Sequence, residues 1–428
     1  MFGIVLGLIL LMFLAYRGWS IIWVAPITAG VVAIFGGLDL LDAYTDTYMQ
    51  GFVNFAKQWF PVFMLGAIFG KLMEDTGAAS SVALAITKVI GKKRAILGVV
   101  AACAVLTYGG VSLFVVVFAV YPLAIALFRE AKITRRLLPG TIALGAFTFT
   151  MTAIPGTPQI QNLIPTSYYG TTATAAPFMG IIAALVMGVG GYMYLIWRER
   201  KTKEAGEFFT EPNEQKVEAI EDHKLPNAFL SFLPLVTVIL TLNLLKWDII
   251  VALLAGILLI VLLNVGILKK FTQSVNKGAA GSVIAIVNTS AAVGFGSVVR
   301  AVPGFEKLTD LVMGIQGSPL ISQAVAINVL AGSTGSASGG LGIALEALGD
   351  RYMELALQTG ISPEAFHRVA SIASGGLDTL PHNGAVLTLL TITAMTHKDS
   401  YKDIFVVGCA IPILSVVVAI LCASIGIV

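Results

Sequence analysis

The stretch GGLDTLPHNG, residues 375–384, sets Asp378 and His382 four positions apart, with Thr379 and Asn383 beside them. A carboxyl and an imidazole at that spacing can pair with each other or face a common space. Imidazole titrates nearest neutral pH, so His382 is a candidate proton carrier or donor to a ligand carboxylate, and Asp378 a second proton-coupling candidate. The other role open to Asp378 is to cap the free N–H groups of a helix starting after the glycines. Neutral donors and acceptors gather in three further short segments, TYGGVS (107–112), AIPGTPQ (153–159) and AGSTGSASGG (331–340). With the first stretch they offer Thr107, Gly109, Gly110, Ser112, Thr157, Gln159, Ser333, Thr334, Ser336, Ser338, Thr379, His382 and Asn383 as candidate substrate-binding residues. Hydroxyls and amides of this kind suit a hydroxylated carboxylate or, through their oxygens, Na⁺. Serine and glycine also serve plain close packing of helices in a membrane.

Two other ionisable groups stand in apolar surroundings, where they are costly and by default functional candidates. Glu346 in GLGIALEALGD reads either as an intramembrane group or as an interfacial carboxylate, and Arg300 as a helix-end residue that snorkels outward. Cys103, Cys409 and Cys422 lie inside apolar blocks and read as small buried hydrophobes. No Walker, HExxH, GxSxG or Cys/His metal spacing occurs, so nothing in the sequence points to catalytic residues, a metal, a cofactor or a nucleic-acid partner.

The elements that must position these groups are membrane helices. The chain has 428 residues, 57% hydrophobic and 12% charged, where a soluble domain carries about 25% charged residues. Runs such as FGIVLGLILLMFLAY and DIFVVGCAIPILSVVVAILCASIGIV approach the ~20 residues a helix needs to cross a bilayer. Apolar residues come in blocks instead of the alternation of a lipid-facing barrel strand, so the expected fold is an all-α polytopic membrane protein. The first run lacks a basic flank and a small-residue cleavage signal, and is expected to be a retained transmembrane helix.

The polar segment 198–227 divides the chain into halves, 1–197 and 228–428, and its basic start predicts a cytoplasmic linker. Residues 95–128 are flanked on both sides by lysine and arginine (Lys92, Lys93 and Arg94 before, Arg129, Lys132, Arg135 and Arg136 after), so both ends should face the cytoplasm. Two full crossings need ~40 residues and a turn, and only 34 are present. A re-entrant hairpin with its tip at TYGGVS fits best, and two short tilted helices are the alternative. The second half repeats the plan: Gly77 matches Gly304, TYGGVS matches AGSTGSASGG, and Pro155 matches Pro381 at an offset of 226 residues. The expectation is a pair of inverted repeats, each of about five transmembrane helices and one re-entrant hairpin, with broken helices at the midplane around a substrate site. GGLDTLPHNG is then the break in a helix that starts near Pro363 and resumes at Ala385, with a surface turn as the alternative.

LGAIFGKLMEDTGAASSVA (65–83), GKK (91–93) and the order of hairpins and proline breaks in both halves resemble the gluconate:proton symporter family, within the wider ion-transporter superfamily that includes the divalent-anion/sodium symporters. The resemblance implies a secondary transporter of the inner (plasma) membrane, not an enzyme, moving sugar acids or short hydroxy acids with H⁺ by an elevator movement within a homodimer. GGLDTLPHNGAV is more similar to the branch associated with hydroxybutyrate uptake, and AIPGTPQIQN departs from the family's first break by lacking histidine. The expected partners are a small organic anion such as 3-hydroxybutyrate and the lipid bilayer. Coupling to Na⁺, and an anion channel, stand as alternatives. Residues of about 59–166 and 281–396 are expected to form the moving domain. Those near 2–38, 176–197, 228–268 and 404–427 are expected to form the scaffold.

Overall fold

The computed structural model describes residues 1–91, 94–211, 225–314 and 317–428, and among these every regular element is helical. Helices are what lipid permits an open chain, because each segment satisfies its own backbone hydrogen bonds. The first half runs α1 (Phe2–Tyr16), α2 (Ile21–Gly36), α3 (Leu40–Asp42), a π-helical stretch Ala43–Tyr48, α4 (Met49–Asp75) and α5 (Ala78–Ile90). It continues with α6 (Ala95–Tyr108), α7 (Leu113–Glu130), α8 (Leu138–Ala146), α9 (Phe149–Thr152), α10 (Ile160–Tyr169) and α11 (Pro177–Glu204). The second half begins with α12 (Ala228–Asn243), α13 (Ile249–Leu263), α14 (Leu268–Ala301), α15 (Gly304–Met313), α16 (Pro319–Thr334) and α17 (Ala337–Thr359). It ends with α18 (Pro363–Ser374), α19 (Gly384–Ile392), α20 (His397–Phe405), a π-helical stretch Val406–Ala410 and α21 (Ile411–Ser424). Five of these stretches are long and apolar enough to cross a membrane: Leu40–Asp75, Leu113–Glu130, Pro177–Glu204, Phe271–Ala301 and His397–Ser424.

The order of elements is the same in both halves. A helix pair (α1–α2, α12–α13) leads into a long rod (α4, α14), then a short helix that starts at or just after Gly77 or Gly304 (α5, α15). A hairpin follows (α6–α7, α16–α17), then a helix that stops and resumes (α8–α10, α18–α19). The hairpin tips turn where glycine supplies a left-handed backbone, at Gly110 (φ 94°) and Gly335 (φ 60°). The second break spans 375–383, so its helix stops at Ser374 and resumes at Gly384, within a residue of the expected positions.

Packing crosses between the halves. α4 lies along α14 over most of their lengths, and backbone approaches backbone where Gly278 meets Ile68: a Cβ there would fall 2.7 Å from the Ile68 Cα. α2 packs on α14 while α13 packs on α4, and α12 touches α5 while α1 touches α15. The first-half hairpin arm α7 meets α19, and the second-half arm α17 meets α10.

Three features differ from the sequence expectations. The linker starts later, because α11 continues to Glu204 and the following residues are tied back by Arg136–Glu207 and Arg129–Glu211 ion pairs; residues 212–224, like Lys92 and Lys93, fall outside the described residues. The second-half block expected to begin near 281 opens with a rod that starts earlier, α14 running from Leu268 to Ala301. Finally, residues 176–197 and 404–427, expected in a scaffold, pack as α11 and α20–α21 against α8 and α18, and against one another, rather than against α1, α2, α12 or α13. Ser415 donates to the carbonyl of Ala183, and Asp403, 1% exposed, accepts from Arg198 at 2.6 Å and from Tyr194 at 2.8 Å. A buried carboxylate held by two donors fixes these helices to each other.

Candidate functional site

Both tips and both breaks border one cavity of about 470 Å³, closed on another side by α4 and α14. Hairpin one contributes Gly110 and Ser112, the first break Gln159 to Gln161, hairpin two Thr334 to Gly339, and the second break Asp378, His382 and Asn383 to Ala385. Among the described residues the only ionisable side chains on this wall are Asp378 and His382, and no lysine or arginine lines it. Among the described residues no group of three or more His, Cys, Asp or Glu side chains gathers.

The second-half side is built around Asn383. Its Oδ1 accepts from the backbone N–H of Ala385 (2.6 Å) and Val386 (3.0 Å), while its Nδ2 donates to the Gly335 carbonyl (2.9 Å) and Asp378 Oδ1 (2.9 Å). One amide thus caps α19, holds the tip of hairpin two and orients the carboxyl. The sequence leaves Asp378 as a cap of this helix, a partner of His382 or a cavity-facing group; in the structure Asn383 is the cap and Asp378 is bound to Asn383. Asp378 is 7% exposed and also interacts with the backbone of Ala337. The half-buried His382 ring lies against Gly335 and interacts with the backbone of Gly332. Ser336 accepts from Gly339 N–H as the cap of α17, and Ser338 meets Thr289 of α14 at 3.3 Å.

On the first-half side Gln159 occupies the matching position before α10. Its Nε2 donates to the carbonyls of Thr107 (2.7 Å) and Val111 (3.4 Å), which pins hairpin one to the break, and its side chain makes no bond to the first turn of α10. Tyr108 and Asn243 bind the break from outside through the Pro155 and Gly156 carbonyls.

Five expected site residues do not reach the cavity. Thr107 and Thr157 are fully buried beneath the first tip and break, Gly109 packs against Leu235 of α12, and Ser333 spends its hydroxyl on the Val329 carbonyl within α16. Thr379 turns the other way, with its hydroxyl 3.2 Å from Cys409 Sγ and its carbonyl accepting from Tyr401. Neighbouring residues of each motif border the cavity while these five pack behind it. Glu346 is half-buried and receives Tyr168 and Ser297 at 3.2 Å, and Arg300 pairs with the exposed Asp350 at 2.6 Å; both stand away from the cavity, at the contact of α14 with α17.

A polar network behind the first break was missed. Arg368 of α18 is fully buried and donates to Asn162 Oδ1 (2.8 Å) and to the carbonyls of Ala175 (2.6 Å) and Ala173 (3.3 Å). Asn162 in turn donates to Thr157 and Ala173 carbonyls, His367 bridges Asn162 and Thr171, and Glu364 accepts from Ala176 N–H. A lone arginine inside the arm PEAFHRVASIAS, set against an asparagine in the first half, was the available signal.

Comparison with known proteins agrees with this architecture. The profile of the GntP family permeases matches residues 1–254. An uncharacterized transporter, YxjC, of Bacillus subtilis (strain 168) is 44% identical over 446 aligned positions, covering 94% of each chain. An uncharacterized permease of Haemophilus influenzae is 29% identical over 55% of this chain and 48% of its own. The crystal structure of the YdaH transporter of Alcanivorax borkumensis is similar in fold, with a TM-score of 0.56 at 14% identity, over 90% of this chain and 88% of that one. Fold, profile and full-length likeness together identify the chain as a multi-pass membrane transporter, not an enzyme, and it belongs to the GntP permease family.

Proposed function

We propose that the protein imports a small organic carboxylate, of the class of 3-hydroxybutyrate or a sugar acid, in symport with H⁺. The observation that carries this reading is the cavity wall itself, with one carboxyl, one imidazole and no fixed cation. An anion entering beside an ionised Asp378 meets repulsion that a low-dielectric interior strengthens. The pair is relieved when a proton sits on Asp378 or on His382, so anion and proton bind best together. A proton taken up with the anion makes the loaded site neutral or nearly so, and its passage through the membrane less costly.

The exchanged packing of the halves supports inverted repeats, with α2 on α14 answered by α13 on α4. It supports in turn an elevator movement, whose moving body we assign to the two hairpins, the two broken helices and, on the strength of their packing, α11 and α20–α21. The pairs α1–α2 and α12–α13 are left to face lipid and a second copy in a homodimer. The basic start of the linker supports a cytoplasmic position for it in a protein of the inner membrane.

Counterflow in proteoliposomes, with pH and Na⁺ gradients imposed separately, tests the reading. Saturable uptake of labelled 3-hydroxybutyrate or gluconate, raised by an acidic exterior and indifferent to Na⁺, is expected. Accumulation driven by Na⁺ at constant pH overturns the H⁺ assignment, and unitary conductance steps overturn the carrier in favour of an anion channel.

A further inference from the structure

The two half-helices that begin at the cavity are not equivalent. At α19 the Asn383 side chain already occupies the first turn, taking the N–H groups of Ala385 and Val386. At α10, a helix of ten residues, the matching side chain is spent elsewhere: Gln159 reaches back to hairpin one, and the first N–H groups of α10, on Ile160 and Gln161, receive no cap. Uncapped N–H groups at membrane depth need an acceptor, and the positive end of the helix favours an anionic one. A second observation at the same place points to a ligand. Gln161, on the cavity wall and only 7% exposed, has a buried Oε1 with no hydrogen-bond partner, and on the same wall the Oδ1 of Asn288 in α14 is likewise buried and unpartnered.

We infer that the ligand's carboxylate sits on the first turn of α10, on the Ile160 and Gln161 N–H groups, and that Gln161 and Asn288 accept from a donor elsewhere on the ligand. This deepens the transport reading and rests on it. Asn383 acts as the residue that sets the number of carboxylates to one. By filling the first turn of α19 it removes the second seat that the repeated architecture provides, and Asp378 beside it repels a second negative charge. A dicarboxylate finds no matching seat at the second break and, among the described residues, no lysine or arginine on the wall for its second group.

The backbone allows a clean test. Gln159, before α10, has φ −74° and ψ 143°, the extended conformation that a following proline requires, and proline is favoured at the first helical position. Ile160→Pro therefore removes one donor of the seat and leaves the helix in place, with Ile160→Val as the control for lost side-chain contact. Counterflow of labelled 3-hydroxybutyrate in proteoliposomes of the full chain, competed by butyrate and by malate, reads the outcome. Expected are a rise of about tenfold or more in half-saturation for Ile160→Pro but not Ile160→Val, loss of the preference over butyrate in Gln161→Leu, and no competition by malate. Unchanged half-saturation in Ile160→Pro, an intact preference over butyrate in Gln161→Leu, or competition by malate equal to that of 3-hydroxybutyrate overturns the seat while wild-type counterflow upholds the carrier. Should Ile160→Pro fail to insert, Gln161→Leu and the malate competition decide alone. Absence of any organic-acid counterflow by the wild-type protein overturns both.

Discussion

The two breaks share an order of elements and differ in what backs them. The first is neutral on its cavity side and is clamped from behind by Arg368, whose guanidinium is satisfied by Asn162 and two backbone carbonyls. The second carries Asp378 and His382 on its cavity side and is backed from α20, with His397 at 2.8 Å from the Pro381 carbonyl and Tyr401 on the Thr379 carbonyl. Charge is therefore structural in one half and set on the cavity wall in the other. Two identical breaks would offer two identical sites; here one is anchored by a buried charge and the other carries titratable groups on the cavity wall.

Removing the anchor should have the largest effect. Arg368→Met deletes the guanidinium donors to the Ala175 carbonyl and one of the three donors to the Ala173 carbonyl, and leaves Asn162 Oδ1 with His367 alone. Each buried acceptor left short of a donor costs about 1–3 kcal/mol, enough together to deplete a marginally stable fold. The expected outcome is loss of the monodisperse species in detergent by size exclusion, with Arg368→Lys failing to restore it, because one ammonium does not reproduce the planar set of donors. Normal yield and thermal midpoint for Arg368→Met would remove the contrast between the two breaks.

The titrating wall is tested by Asp378→Asn. An amide oxygen still accepts from Asn383 Nδ2, so the break keeps its geometry while losing a proton site. Exchange of internal for external substrate should persist, and accumulation driven by an acidic exterior should vanish. His382→Gln separates the two candidates: if accumulation survives Asp378→Asn and is lost in His382→Gln, the proton rides on the imidazole.

How much of this was legible beforehand follows the same division. Hairpins and breaks were readable because glycine, proline and small polar residues interrupt apolar blocks, and because an inserted turn needs backbone freedom that leaves a mark in composition. The roles within GGLDTLPHNG were less so. Whether Asp378 or Asn383 caps α19 depends on which side chain faces the first turn, and residue type alone allows both. Arg368 escaped because its partners Ala173 and Ala175 are backbone carbonyls far away in the chain, which no spacing rule connects. The grouping of α11 and α20–α21 with the broken helices was equally hidden, since uninterrupted apolar helices look alike whether they face lipid or protein.

Asn383→Leu sharpens the comparison at the ligand. It strips the cap from Ala385 and Val386 and the donor from Gly335 and Asp378, a loss of about 1–3 kcal/mol, or roughly ten- to a hundredfold in affinity. Expression should suffer less than in Arg368→Met, because the site borders water instead of a closed core. The thermal midpoint and the half-saturation of counterflow, measured on one preparation, separate these effects. A midpoint falling as far as that of Arg368→Met would make Asn383 a second anchor.

The smallest expected effect checks that pH dependence belongs to the second break alone. Arg129, at the base of hairpin one, binds Glu211 through two bonds of 2.7 and 2.8 Å, and this guanidinium holds the Glu211 carboxyl below its ordinary range. A carboxyl with a depressed folded value contributes its stability above the unfolded value, ~4.3, and loses it only as the pH falls through the lower folded value. Between about pH 5.5 and 7.5 the pair is therefore fully formed and cannot shape a transport profile. Both partners are exposed, and salt screens them. Glu211→Gln should move the thermal midpoint by no more than about 2 °C and leave the ratio of uptake at the two ends of that pH window unchanged, whereas Asp378→Asn or His382→Gln should flatten it. A profile altered in Glu211→Gln would show that hairpin one, tethered to the linker, takes part in proton coupling, and the division between a structural half and a titrating half would have to be redrawn.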